Sequence, residues 1–360
     1  MDSRERVLLA INRRKPDRIP RDFWASKGFW RKLESEAGLT QEAYLDLYNM
    51  DLRYIPGPGY IGPPLVGNNG ETVDIWGVPR TTAEVRIGRG VECYEEVTQP
   101  PLAGAETVEE ILEYRHWPSP DWFDYTTIAR QCETVFAKRR AVVFMGDRMN
   151  RVAQLKPAMY LRGVEQILID MALNPKLAQA IIGRIREFYT AYLERILEAA
   201  KGKIDILLTG DDFGAQEGLL ISQPMWDRFL QKGFARYIGL IHSYDVKVMH
   251  HTCGSVRALL PRMIACGLDV LQSLQPEARD MELRGLQAEF GDRLAFHGGI
   301  SIQRLLPFGT PDQVRAEVRR LAEIGQDGGY IFCTSHNLQA DVPVVNAKAL
   351  VEAYREFGVL

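Results

Sequence analysis

Hydrophobic positions follow two regimes along this chain of 360 residues. From about residue 106 onward, short apolar runs rich in Val and Ile alternate with longer stretches whose apolar residues recur at helical spacing. The short runs predict buried strands and the longer stretches predict amphipathic helices. Strands are expected at 141–146, 204–209, 246–251, 270–274, 294–297 and 330–333. Helices are expected at 108–114, 125–139, 158–172, 175–201, 223–244, 255–266, 282–290, 311–325 and 344–357.

The first hundred residues are less regular. A helix is expected from Ser3 to Asn12, capped by Ser3 and stopped by Pro16. A strand follows at 18–24, helices at 27–37 and 40–48, and a strand at 50–55. Residues 56–105 are rich in Pro, Gly, Thr and Val and read as a loop with an antiparallel hairpin, an insertion or lid on the main body. Gly57-Pro-Gly-Tyr-Ile-Gly62 fits the spelling of a dinucleotide loop. Pro58, Pro63 and Pro64 forbid the helix that such a loop must open.

Strands alternating with helices imply parallel pairing. About eight strands suit a single α/β domain over 1–360, a (β/α)8 TIM barrel with an N-terminal β-hairpin/loop insertion at 56–105. The rival, a doubly wound open sheet, lacks a Gly-rich first turn.

Composition narrows the function classes. The chain is 46% hydrophobic and 25% charged, with net charge −3 and pI about 6.1. These values suit a soluble globular protein and advertise neither a nucleic-acid nor a membrane partner. No apolar run reaches the roughly 18 residues of a bilayer span. The charged N-terminus lacks a signal-peptide core, so a cytoplasmic location is expected. The five cysteines, at 93, 132, 253, 266 and 333, are scattered and odd in number. In a reducing cytosol they are thiols, available for metal binding or chemistry. Cys93, Cys132 and Cys266 have no partner pattern and read as structural.

Barrel sites lie at the C-terminal ends of strands. The residues expected there are Asp22, Phe23 and Trp24; Asp51; Met145, Gly146 and Asp147; Thr209, Gly210, Asp211 and Asp212; His250, His251 and Cys253; Gln272 and Ser273; His297; and Cys333, Ser335 and His336. Four of the six histidines thus gather on one rim. His251 and Cys253 are two apart, so they share a face if extended. An imidazole beside a thiolate is a zinc-type pair. His250 should face the other way and be packed. Cys253 and Cys333 could equally be small core residues, and His336 could simply hydrogen-bond substrate. Asp211 and Asp212, adjacent carboxylates at a strand end, read as site residues.

The chain resembles the uroporphyrinogen decarboxylase superfamily over almost its whole length. The resemblance is carried by Arg6-Val-Leu-Leu-Ala-Ile-Asn12, Pro16-Asp-Arg-Ile-Pro20, Gly210-Asp-Asp-Phe-Gly214 with Ser222, Phe296-His-Gly-Gly-Ile-Ser301, Gly309-Thr-Pro311, Gly329-Tyr-Ile-Phe332 and Ser335-His-Asn-Leu-Gln339. It implies a (β/α)8 barrel and two functional branches. Decarboxylases proper carry R-Q-A-G-R and F-S-D-I motifs. This chain has Arg21-Asp-Phe-Trp-Ala-Ser-Lys-Gly28 and Asn49-Met-Asp-Leu-Arg53 instead, although Tyr160 and His336 match decarboxylase positions. The other branch, zinc methyltransferases working with a corrinoid protein, uses a His-x-Cys-Gly motif and a later cysteine. His251-Thr-Cys-Gly254 matches the motif, while the later cysteine aligns near His336. Cys333 and His336 both stay open as the next metal ligand.

The methyltransferase branch implies zinc held by His251, Cys253, Cys333 and His336, and a corrinoid (cobalamin) carried by a partner protein. It implies O-demethylation of a small methoxylated aromatic, or a methyl-thiol substrate, and a homodimer as a frequent assembly. Asp211, Asp212 and His251 are the expected catalytic groups. Trp24, Asp51, Tyr160, Gln216, His297 and His336 are expected at the substrate, with Phe23 and Tyr60 helping to wall an aromatic pocket. The alternatives are a metal-free decarboxylase of a cyclic or aromatic acid, using Asp51 or Asp211 and His336, and a non-catalytic corrinoid- or tetrapyrrole-binding subunit.

Overall fold

Uninterrupted aliphatic runs build the sheet. In the computed structural model, which describes residues 1–67, 70–88, 90–145 and 151–359, seven strands lie in chain order and pair in parallel. They are Leu52–Ile55, Ala141–Phe144, Ile206–Gly210, Lys247–His251, Val270–Leu274, Ala295–Ile300 and Tyr330–Thr334. Both faces of these strands are covered, which is why they read as continuous apolar runs. Alternate residues point inward. Leu52, Val143, Leu208, Met249, Val270, Ala295 and Ile331 pack together with Val7 and Ile11 of the first helix. That helix, Ser3–Ile11, therefore stoppers the N-terminal end of the sheet. Its cap is Asp2, not Ser3. The Asp2 carboxylate accepts from the Glu5 amide and Glu5 returns the bond, and a carboxylate is the better partner for an exposed helix start.

The strand expected at 18–24 does not form a continuous ladder. Single bridges join Arg21 to Phe332 and Ala25 to Leu338. The segment nevertheless bonds to both edges of the sheet. Asp22 N–H donates to the Phe332 carbonyl at 2.8 Å, and Asp51 N–H donates to the Arg21 carbonyl at 2.8 Å. Pro20 has no N–H to give, so pairing is intermittent there.

Strands Arg80–Ile87 and Gly90–Val97 pair antiparallel. The second of these docks through the buried Glu92 carboxylate, which accepts from Ala340 N–H at 2.7 Å and the Ser26 hydroxyl at 2.5 Å. Gly57–Gly62 opens no helix. Gly59–Tyr60 instead pairs with Phe123–Asp124. The helix expected at 158–172 breaks into Leu155–Arg162 and Val164–Leu173, because Gly163 takes φ +91 between them. Among the described residues, no helix is long and apolar enough to cross a membrane.

Candidate metal centre at the strand rim

His250 and His251 end the strand Lys247–His251 and face opposite ways. His250 turns outward, its Nδ1 2.8 Å from the Thr209 hydroxyl and its ring stacked on Phe213 at 5.3 Å. Burial lowers its pKa to about 3. His251 turns inward. Its Nδ1 lies 2.6 Å from Gln272 Oε1, a residue directly opposite it in the parallel register. An amide oxygen can only accept, so Nδ1 carries the proton and Nε2 presents a lone pair.

That lone pair meets sulfur. Cys253 Sγ is 3.4 Å from His251 Nε2. The chain folds back here because Gly254 takes φ +79, and a Cβ on it would stand 2.5 Å from the Gly214 carbonyl carbon. His336 follows the strand Tyr330–Thr334, and one donor atom each from His251, Cys253 and His336 lie within 4.8 Å of one another. Trp24 covers the group, its indole 5.6 Å from the His251 ring and 5.4 Å from the His336 ring.

This donor set fits zinc. Tetrahedral angles with the usual Zn–S and Zn–N bond lengths place a sulfur and a nitrogen ligand about 3.5 Å apart, against the 3.4 Å found. Burial, aided by the positive charge of Arg151, holds His251 well below its ordinary pKa and lowers His336 to about 4. Burial and then Asp212 push the Cys253 thiol up to about 12. At neutral pH the three groups are two neutral imidazoles and one thiol.

The adjacent carboxylates divide their work. Burial alone would raise Asp212, but the Lys156 ammonium outweighs it and holds Asp212 well below the usual carboxylate range. Asp212 pairs with Lys156, accepts from Cys253 N–H at 3.2 Å, and lies 3.9 Å from His251 Nε2. Asp211 faces away and accepts from the N–H groups of Gln154, Leu155 and Lys156 at 2.6, 2.9 and 2.7 Å. It caps the helix Leu155–Arg162, which has no side-chain cap of its own. Burial raises its pKa to about 6 despite the three donors.

Trp24 and Tyr160 reach this site. Tyr160 lines the same small pocket as Arg151, Lys156, Asp212 and His251, with the Arg80 guanidinium 4.5 Å over its ring. Other expected residues are not brought here. Cys333 is buried within its strand and groups with Asp22 and His297, while His336 joins His251 and Cys253. Cys333 belongs to the strand itself, whereas His336 lies beyond its end. Asp51 precedes its strand, at the opposite end of the sheet. Its carboxylate is consumed by Arg6 at 2.9 Å, Arg18 at 2.7 and 2.8 Å, and Arg21 N–H at 2.8 Å. Gln216 is exposed in a loop. Phe23 packs in the core with Phe29, Trp30 and Tyr44, and Tyr60 packs against Trp122 and Phe123. Gly146 and Asp147 lie outside the described residues.

Sequence reasoning missed Lys156 and Arg151, for which the pattern gives no signal. It noted Gln272 without joining it to His251, although both occupy inward positions on neighbouring strands.

Fold and site together define an α/β protein with a parallel curled sheet and a His–Cys–His donor cluster at its C-terminal rim. The profile of the family described as uroporphyrinogen decarboxylase (URO-D) matches residues 152–357, and the chain belongs to that family. A uroporphyrinogen decarboxylase of Chlorobium limicola is 26% identical over 193 residues, 51% of this chain and 50% of that protein. The methylcobamide:CoM methyltransferase MtaA of Methanosarcina barkeri is 28% identical over 167 residues, 46% of this chain and 45% of that protein. The chain thus spans about half the length of the curated relatives it matches. A solved methyltransferase from Methanosarcina mazei shares the fold over 99% of both chains, with TM-score 0.67 and 18% sequence identity.

Proposed function

We propose that the protein is a zinc-dependent methyltransferase that moves a methyl group from a methoxylated aromatic to a corrinoid protein. The observation that carries this reading is the His251 Nε2 to Cys253 Sγ separation of 3.4 Å, with Gln272 fixing the tautomer that aims the lone pair at sulfur. His251, Cys253 and His336 would hold the ion. Bound there, zinc would supply Lewis-acid stabilisation to the ether oxygen as phenolate charge develops on it.

The remaining work falls to the chain itself. The Trp24 indole provides a flat apolar wall against both imidazoles. Tyr160 and Lys156 line the adjoining pocket and would orient polar groups of the substrate. Asp211 fixes the first turn that carries Lys156, and Lys156 keeps Asp212 charged beside the ligands. In this reading seven strands and the 18–25 segment close an eight-stave barrel whose mouth admits the partner's cofactor, with the 80–97 hairpin as an insertion beside it.

A metal-free decarboxylase is the second reading, favoured by the family profile and by the Chlorobium limicola relative. Methyl transfer from a panel of methoxyphenols to cob(I)alamin, with zinc analysis of the same sample, separates the two. Turnover that requires about one rim-bound zinc per chain supports the methyltransferase. Absence of both zinc and methyl transfer sinks it.

A further inference from the structure

A second set of soft donors lies inside the sheet. Asp22, His297 and Cys333 are 2%, 0% and 0% exposed, and one donor atom from each lies within 4.8 Å of the others. His297 and Cys333 stand on the neighbouring strands Ala295–Ile300 and Tyr330–Thr334. Asp22 comes from the intermittent 18–25 segment. None of the three belongs to the rim cluster.

The group is internally bonded, with one ring nitrogen left over. His297 Nε2 lies 2.8 Å from Asp22 Oδ2, which also accepts from the Tyr54 hydroxyl at 2.5 Å. Asp22 Oδ1 accepts from Phe23 N–H at 2.8 Å. His297 Nδ1 is buried with no hydrogen-bond partner among the described residues. Cys333 Sγ has a weak contact to the Thr334 hydroxyl at 3.9 Å. Among the described residues, His297 is the one ion-pair partner of Asp22, and no Lys or Arg joins it. A buried carboxylate without a cation is costly. A divalent ion with one carboxylate, one thiolate and one neutral imidazole sums to zero charge. Mixed sulfur, nitrogen and oxygen donors are those of zinc. Tetrahedral bonds set nitrogen and oxygen ligands about 3.3 Å apart, so the 2.8 Å His297–Asp22 contact would need to open only slightly.

We propose that Asp22, His297 and Cys333 form a second divalent-metal site of zinc type, which pins the 18–25 segment to the last two strands. Its place is structural. It clasps a segment whose proline leaves the ladder incomplete, and its donors come from three separate stretches of chain.

The test is anaerobic titration of the apo protein with Co(II), read by the sulfur-to-cobalt charge-transfer absorption and by metal analysis. Wild-type protein is expected to saturate at about two ions per chain. Cys253→Ser and Cys333→Ser should each retain one ion and about half of the absorption, and the double variant neither. Co(II) should also raise the melting temperature of Cys253→Ser. A wild-type count of zero overturns the proposal, as does a Cys333→Ser titration indistinguishable from wild type. If Cys333→Ser fails to fold, Asp22→Ala carries the same expectation of one ion lost, and an undiminished count there overturns the proposal.

Discussion

Gln272 and His251 face each other across two parallel strands, and the 2.6 Å contact between Gln272 Oε1 and His251 Nδ1 decides which nitrogen of the imidazole is free. Removing that acceptor lets the ring rotate or change tautomer. Gln272→Ala should weaken rim zinc binding about 10- to 100-fold, measured by chelator competition. Gln272→Glu, which keeps an acceptor, should recover most of the affinity. Equal affinity in all three proteins would show that the ring is held by something else.

Cys253 is the only sulfur at the rim cluster among the described residues. Cys253→Ser should lose rim zinc and drop methyl transfer to background, with little change in melting temperature of the apo protein. Retained activity in the zinc-free variant would refute the metal-based mechanism.

Zinc loading should release protons in a countable way. His251 and His336 are already neutral at pH 7, and the Cys253 thiol, raised to about 12, is protonated. In a Cys333→Ser background, binding at the rim should release about one proton per chain. Apparent affinity should then rise about tenfold per pH unit near neutrality. An indicator dye in weak buffer reads the first number, and a release near zero would mean that sulfur is not a ligand.

Asp211 links stability to pH. Its folded pKa, about 6, lies above its ordinary value of 3.8. Its protonated form is therefore the stabilised one in the fold. This contribution is full below the ordinary value and is lost as pH rises through about 6. Asp211→Asn should flatten that limb of the stability curve. It should also cost about 0.5–2 kcal/mol at either end through the weakened cap, measured by urea unfolding at several pH values. An unchanged pH profile would place the titration elsewhere.

Asp51 should behave as a structural residue. Asp51→Ala strands the buried Arg18 guanidinium and leaves Arg6 with Asp17 alone, at a cost of about 3–5 kcal/mol. The folded fraction should keep its rim zinc and its substrate affinity. A loss of affinity without a loss of stability would return Asp51 to the site.

Much of this was legible in the chain. The inward parity of His251 and Cys253, and the packed His250, follow from a two-residue repeat and from the stop at Gly254. The helices Pro311–Gly325 and Val344–Phe357 fall where the spacing predicts them. What failed depends on depth and on distant chain. Cys333 and His336 are three residues apart, yet one is still in the strand and the other past it. Asp51 looked like a strand-end carboxylate because nothing local reveals that Arg6 and Arg18 converge on it. Asp211 and Asp212 are neighbours whose fates separate only when the backbone of 154–156 arrives. Lys156 has no local signature because its partner lies on a different strand end.

The tight turn at Gly254 rests backbone on backbone against Gly214 and Ala215, and Ser255 N–H donates to the Ala215 carbonyl at 2.7 Å. Two loops from neighbouring strands are therefore riveted together backbone to backbone here, beside the Asp212 carboxylate that accepts from Cys253 N–H. In the proposed reading, a guest that tugs on the 211–219 loop would drag the Cys253 sulfur with it. With zinc bound as proposed, occupancy of the mouth and grip on the ion would become a single mechanical event.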